Sequence, residues 1–220
     1  VDGVFSADPS RVPGARLWGE ISYEEAIEMA SSGAKVLHPR AAEICMEYDV
    51  PIHVRSSFHL REGTWIRGGG QMMERAEVVS VTSDSKIAKI TLLDVPDEPG
   101  MAARVFEDLA KAGVNIRLII QSASSERQGR ITFILDLEFL DDARKLVQRW
   151  ETEGVTSSGV VESDVAKISI VGSRLASSPG LAARMFAALG RAGINIDCIS
   201  SSEMKVACVI SADRLDEATR

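Results

Sequence analysis

The residues best suited to bind a small molecule occur twice in this chain, in two stretches that open with Pro-Gly and close with Asn-Ile. The first runs from Pro99 to Ile116 and the second from Pro179 to Ile196. Of the 24 residues from 99 to 122, 13 recur at an offset of 80, which indicates an internal duplication. Any site built from these stretches is therefore expected in two versions.

Each Pro-Gly pair stands where a strand is expected to turn into a helix. Gly100 and Gly180 let the backbone take unusual angles, and the first N–H groups of a helix have no partner within it. Such a helix start suits a carboxylate. Asp97 could meet an ammonium group, and Asn115 and Asn195, each predicted to begin the next strand, offer an amide. These residues favour a site for an α-amino acid, although a tight loop leading into a strand would use the same residue types.

The elements that position these residues follow from hydrophobic periodicity. A strand is predicted over 86–95, and a helix then carries an apolar stripe that ends at Gly113. The stripe consists of Ala102, Val105, Phe106, Leu109 and Ala112. The complete order is βαββαβ, a ferredoxin-like sandwich. The second copy repeats this order without its last strand, and the strand-like segment 76–83 could fill that place.

Residues 1–67 have a different pattern of loop, helix, helix and strand, which suits the end of an α/β domain. Ser22 and Glu25 form a capping-box pattern before the first helix, and Pro39 suits the first turn of the second. A strand is predicted over 51–58.

Three residues of this segment are candidates for phosphate and nucleotide handling. Lys35 follows a helix-ending glycine, and Asp2 and Asp8 lie in loops. Surface lysines and turn aspartates are also common without a function, and neither a Walker loop nor a G-x-G-x-x-G motif is present. The histidines have no metal-ligand spacing, so we predict no metal site and expect each to be a surface or satisfied core residue. They are His38, His53 and His59.

The composition is that of an ordinary globular protein with a net charge of -7, which excludes a broad nucleic-acid surface. No apolar run approaches the roughly 20 residues that span a bilayer, so no membrane partner is expected. Three cysteines, an odd number without metal spacing, indicate reduced thiols in a cytoplasmic protein. Because the chain starts in turn-like sequence and stops in helix-like sequence, we expect a fragment of a longer protein.

Taken together, four motifs resemble aspartate kinase over nearly the whole chain. They are "VDGVFSADPSRVP", "SYEEAIEMASSGAKVLHPRAAE", "IHVRSSF" followed by "GTWI", and "DVPDEPGMAARVFEDLAKAGVNI". The resemblance implies the C-terminal part of an amino-acid-kinase α/β domain over 1–67, followed by two ferredoxin-like ACT domains. It places a linker and completing strand at 68–85, the first ACT domain at 86–163 and a truncated second one at 164–220.

The family phosphorylates the side-chain carboxylate of L-aspartate with ATP and Mg²⁺, on the way to lysine, threonine and methionine, and holds no cofactor tightly. The resemblance implies a set of nucleotide-binding residues, namely Asp2, Gly3, Val4, Asp8 and Lys35. Phe5 replaces a usual Tyr and Ser10 a usual Arg, and Arg11 is the nearest substitute for that guanidinium. The family's Lys-Phe-Gly-Gly motif and aspartate-binding residues are absent, so no catalytic residue is assigned and the chain alone is expected to be inactive.

In the family, ACT domains bind lysine or threonine at ACT–ACT interfaces between chains, so a homodimer is expected. One side of an effector site would then comprise Asp97, Gly100, Met101, Ala102 and Gln121. The facing ACT domain would supply Asn195, Ile196, Ser202 and Glu203. A companion site would comprise Asn115, Pro179, Gly180 and Leu181. "ASSPG" replaces "PDEPG" in the second copy, so the two sites should differ in preference or one is vestigial.

Two other functions are compatible with parts of this sequence. The chain could be a non-catalytic regulatory subunit that senses these amino acids within a hetero-oligomer, with Met72 or Met73 as an internal start. It could also be an unrelated ACT-domain sensor, which the motifs of residues 1–67 argue against.

Overall fold

The computed structural model describes residues 1–68, 78–123, 128–173, 175, 178 and 180–220. These residues form two compact units. Unit 1 combines Val1–Asp84 with Lys167–Arg220, and unit 2 is Ser85–Ala166.

The first part of unit 1 follows the local signals of its sequence. The Ser22 hydroxyl accepts the Glu25 N–H at 3.2 Å, and the Glu25 carboxylate accepts the Ser22 N–H at 3.0 Å, so the predicted capping box is confirmed. Its elements are β1 (Glu20–Ile21), α1 (Tyr23–Ser31), α2 (Pro39–Glu47), β2 (Ile52–Val54), β3 (Thr64–Ile66) and β4 (Ser80–Asp84). The first three strands form a sheet of order β1-β3-β2.

The strand predicted over 51–58 is shorter than expected, because β2 ends at Val54. The Ser56 hydroxyl accepts the Phe58 N–H at 3.2 Å, so the chain turns locally instead of continuing a ladder. Phe58 consequently stands almost fully in solvent.

Unit 2 has the predicted βαββαβ order. Its elements are β5 (Ile87–Pro96), α3 (Met101–Lys111), β6 (Ile116–Ala123), β7 (Gln128–Asp136), α4 (Leu140–Thr152) and β8 (Ser158–Glu162). The sheet order is β6-β7-β5-β8, and every pairing is antiparallel. Val105 and Leu109 of the predicted stripe are buried, whereas Ala112 is exposed because α3 ends one residue before it.

The second ACT-like fold lies in unit 1 and repeats this architecture. It adds β9 (Val165–Val171), α5 (Leu181–Arg191), β10 (Cys198–Ser201), β11 (Lys205–Ser211) and α6 (Leu215–Thr219). The sheet order is β10-β11-β9-β4, and β4 runs antiparallel to β9. β4 therefore takes the place that β8 has in unit 2, which is the place suggested for the segment 76–83. Residues 76 and 77 lie outside the described part of the chain.

Asp108 links the two helices of unit 2. The Asp108 carboxylate of α3 accepts the Trp150 indole N–H of α4 at 2.9 Å and pairs with Arg149. The Trp150 hydrogen bond, aided by Arg149, lowers the pKa of Asp108 below its ordinary value. The folded state therefore favours the charged carboxylate.

We expect Asp108→Asn to destabilise unit 2 by about 1–3 kcal/mol at neutral pH, since it removes a charge-assisted acceptor. Because the folded-state pKa is lowered, this stabilisation is present above the unfolded-state pKa and disappears as pH falls through the folded-state value. Urea titrations between pH 7 and pH 2 should show the difference between variant and wild type shrinking in acid. Asp141→Asn, at a side chain that is 86% exposed, is the control and should have little effect at any pH.

Candidate functional site

The first residues of the chain are hydrogen-bonded to β3, in the three-stranded sheet of unit 1. The Val4 N–H donates to Thr64 Oγ1 at 2.8 Å, and that hydroxyl donates to the Trp18 carbonyl at 2.5 Å. A Cβ on Gly3, at φ +144°, would stand 2.7 Å from both Thr64 Oγ1 and a Leu17 methyl. Glycine is therefore required here, and Val4, which is 1% exposed, can offer a ligand no side chain.

Asp2 lies beside two basic side chains that the sequence did not predict as its partners. Its carboxylate oxygens lie 2.9 Å from His59 Nε2 and 3.8 Å from Arg61 Nη1. The Asp2 side chain is 40% exposed, so a ligand can reach it. No local signal could have paired residues 2 and 59, and His59 is a surface histidine with a defined partner.

Asp8 lies within electrostatic range of Lys35. The Asp8 carboxylate accepts both the hydroxyl and the N–H of Ser10, at 2.6 and 2.9 Å. These two hydrogen bonds lower the pKa of Asp8, with smaller contributions from the charges of Arg11 and Lys35. Lys35 itself is exposed, so its ammonium can reach a ligand.

Arg11 does not act as a free substitute for the arginine that Ser10 replaces. Its guanidinium pairs with Asp216 at the start of α6 and lies 3.9 Å from Asp8. The side chain thus links the loop of Asp8 to the second ACT-like fold within unit 1.

The first Pro-Gly motif, in unit 2, leaves the start of α3 open. Gly100 has φ +97° and precedes Met101, and no side chain caps the helix. Among the described residues, nothing accepts the N–H groups of Ala102 and Ala103. Asp97 is exposed beside this helix start, and a Cβ on Gly100 would meet nothing within 4 Å.

The other candidate residues of unit 2 lie in the first turn of α3, on β6 or directly before β6. Met101 and Ala102 are partly exposed in the first turn of α3. Gln121 is exposed on β6, the edge strand, and Asn115 is exposed directly before that strand. All of them are accessible to a ligand or to a second chain.

The second Pro-Gly motif, in unit 1, repeats the helix start with one difference. Gly180 has φ +84° and precedes α5, again without a side-chain cap. Leu181 is only 6% exposed, so it can contribute only its backbone. Pro179 lies outside the described residues.

Asn195 was expected to begin a strand, but β10 begins at Cys198. The Asn195 side-chain amide donates to an Asp197 carboxylate oxygen at 3.5 Å. Ser202 and Glu203 are exposed in the turn between β10 and β11, where the Ser202 N–H donates to the Lys205 carbonyl at 2.8 Å. Ile196 is partly buried.

Neither a metal-binding cluster nor a membrane-spanning helix is found among the described residues. No group of three or more His, Cys, Asp or Glu among them could hold a metal ion. No helix within the described ranges is both long and apolar enough to cross a membrane.

Comparisons with known proteins also divide the chain into a kinase segment and two ACT domains. The amino acid kinase family matches residues 1–56, and ACT-domain families match residues 89–154 and 168–220. An aspartokinase from Mycolicibacterium smegmatis is 40% identical over 222 residues, covering 99% of this chain and 53% of that protein. The chain spans about half the length of the curated relatives it matches.

Solved structures agree with these matches. Aspartate kinase from Synechocystis is 38% identical with a TM-score of 0.65, over 100% of this chain and 40% of that one. The regulatory subunit of aspartate kinase from Thermus thermophilus is 34% identical with a TM-score of 0.62, over 66% of this chain and 95% of that one.

These matches and the duplicated helix starts define a class: an amino-acid-kinase segment joined to a tandem pair of ACT domains. The chain belongs to the aspartokinase family.

Proposed function

We propose that this chain is the regulatory half of a feedback-controlled aspartate kinase, which transfers phosphate from ATP to the side-chain carboxylate of L-aspartate. The whole-chain match to proteins named aspartokinase supports the activity. The same resemblance supports the domain limits given above, a pathway role in making lysine, threonine and methionine, and a cytoplasmic location.

In this proposal the kinase segment contributes to the ATP site. Lys35 supplies a flexible cation for a phosphate, and Asp8, held ionised by Ser10, lies near it. Asp2 is open at its carboxylate, and Gly3 allows close approach of the backbone. Mg²⁺ is commonly held by one or two carboxylates together with phosphates of the nucleotide, so the isolated carboxylates fit an ATP–Mg²⁺ complex.

The chain by itself is proposed to lack activity, because the family's Lys-Phe-Gly-Gly motif is not in its sequence. Phosphoryl transfer depends on positioning and on neutralising charge, which these residues alone cannot complete. Aspartate-dependent ATP turnover by the purified chain would contradict this.

The regulatory role rests on one observation: a helix start of the same open geometry occurs in both ACT domains. Free N–H groups at the start of α3 suit the carboxylate of an amino acid, and Asp97 suits its ammonium. We assign lysine and threonine as the effectors. A second copy of the chain would supply the facing residues Asn195, Ser202 and Glu203.

Isothermal titration of the purified chain with L-lysine, L-threonine and both together tests this role. Saturable binding is expected, and Asp97→Asn should weaken it about tenfold, the value of one charged hydrogen bond. Asn195→Ala should have a comparable effect. The matched control is Asp141→Asn, which lies on the far helix α4 and should bind as wild type does.

Absence of heat from a folded, dimeric sample would contradict the effector assignment. Binding that survives both Asp97→Asn and Asn195→Ala would place the site elsewhere.

A second role is favoured by the match to a regulatory subunit over 66% of this chain. The ACT part would then also exist as a separate subunit in a hetero-oligomer, starting at Met72 or Met73, which lie outside the described residues. Mass spectrometry of the natural protein for a species beginning at either methionine tests this alternative.

A further inference from the structure

The helix α1 of the kinase segment presents two acidic side chains, one turn apart, to the second ACT domain. Glu25 is completely buried. One of its carboxylate oxygens accepts the Ser22 N–H at 3.0 Å, and the other accepts the Ser173 hydroxyl at 2.9 Å. Ser173 follows β9, so a single carboxylate caps the helix and bonds the ACT domain at once.

Glu28 makes the second link. Its carboxylate forms an ion pair with Lys205 Nζ at 2.6 Å, and both side chains are only 23% exposed. Lys205 is the first residue of β11. Partial burial makes this pair stronger than an ordinary surface pair.

The two ACT segments that bond α1 are those that carry proposed effector residues. Ser173 lies between β9 and Gly180, and Lys205 directly follows the turn of Ser202 and Glu203. The Gly172 N–H donates to the Met204 carbonyl at 2.9 Å, so the two segments are also bonded to each other. A shift of either ACT segment would therefore change the contacts that hold α1.

The far end of α1 leads to the proposed phosphate residue. Gly33 follows the helix at φ +114°, and a Cβ there would stand 2.6 Å from the Ser83 carbonyl of β4. Lys35 comes two positions later. The segment that carries Lys35 thus begins at Gly33, where it both continues α1 and packs against β4 of the ACT sheet.

We infer that α1 transmits the state of the second ACT domain to the nucleotide segment, through the contacts Ser173–Glu25 and Lys205–Glu28. The inference rests on the proposed function. Its physical basis is that a buried carboxylate cannot lose a donor cheaply. If an effector moves Ser173 away, Glu25 must follow or become solvated, and either response disturbs the first turn of α1.

Hydrogen exchange measured by mass spectrometry on the whole chain tests the inference. The amides of α1 and of 33–37 are followed with and without L-lysine plus L-threonine, while calorimetry reports binding in the same samples. The variants are Ser173→Ala with Lys205→Met, and Glu28→Gln as a second route should the double variant not fold. Lys111→Met, which removes an exposed lysine from unit 2, is the control.

In the wild type and in Lys111→Met, we expect the effectors to change α1 exchange about threefold or more. In the double variant or in Glu28→Gln, binding should persist while that change disappears or falls by more than half. Binding with unchanged α1 exchange in the wild type would overturn the inference, and so would a full response in the variants.

If calorimetry detects no effector binding to the wild type, the proposed function fails and the linkage is judged without ligand. The double variant should then raise α1 exchange about tenfold over the wild type, because both anchors are lost. Exchange equal to that of the wild type would overturn the linkage as well.

Discussion

Trp150→Ala is expected to lower the free energy of unfolding of unit 2 by about 3–5 kcal/mol, the range found for large aromatic truncations in cores. The indole is fully buried and belongs to the main hydrophobic cluster of this unit. Truncation would leave a cavity between α4 and the sheet. It would also remove the N–H that Asp108 accepts.

Trp150→Phe separates these two contributions, since it keeps most of the volume and deletes the hydrogen bond. We expect a loss of about 1–3 kcal/mol for this variant. Urea unfolding followed by far-UV circular dichroism is the appropriate measurement, because Trp150 is the one tryptophan of unit 2 and its fluorescence disappears in both variants. A loss below 1 kcal/mol in Trp150→Ala would contradict a core centred on this residue.

Local signals were sufficient for much of the fold. The capping box at Ser22 and the proline at the start of α2 depend on residues within one helical turn, and both are present. The duplication made the second ACT fold recognisable even without its last strand. β4 then takes the vacant sheet position, since a ferredoxin-like sheet needs a fourth strand beside β9.

Long-range contacts could not be predicted in the same way. Ser173 and Glu25 are 148 residues apart, and Arg11 and Asp216 are 205 residues apart. No periodicity or turn signal relates such positions, so the side chains that join the kinase segment to the ACT domain were missed. For the same reason the sequence could offer Arg11 as a substitute for the arginine that Ser10 replaces without showing that its guanidinium pairs with Asp216.

The boundaries of short strands were missed for a different reason. Asn195 and Ile196 have strand-like neighbours, but β10 begins only at Cys198, and the first backbone bond toward β11 is made by the Asp197 N–H to the Val209 carbonyl at 2.9 Å. In the first copy β6 begins directly after Asn115, so the two copies differ in where this strand begins, although Leu118 faces Ile134 as Cys198 faces Val209. This difference adds to the replacement of Asp97 by Ser177 and makes functionally unequal sites the expected outcome.

Gly100→Ala is expected to weaken effector binding to the site in unit 2 about tenfold to a hundredfold. In the free protein the new Cβ would meet nothing within 4 Å, because the space beside the helix start is open. The methyl group would occupy part of the space that the effector carboxylate must enter. Losing one charge-assisted hydrogen bond costs about 1.5–3 kcal/mol, and each 1.4 kcal/mol is tenfold in affinity. Titration calorimetry with L-lysine and L-threonine measures the change.

Gly113→Ala provides a matched control at the other end of the same helix. Gly113 also has a positive φ, +73°, and open space around its Cβ. Both variants should therefore lose a similar 1–2 kcal/mol of stability, roughly, through backbone strain. Only Gly100→Ala should lose affinity, because only its methyl group lies at the open N–H groups of Ala102 and Ala103. Equal affinity losses in the two variants would mean that strain alone weakens binding, and the start of α3 would then not be where the effector carboxylate binds.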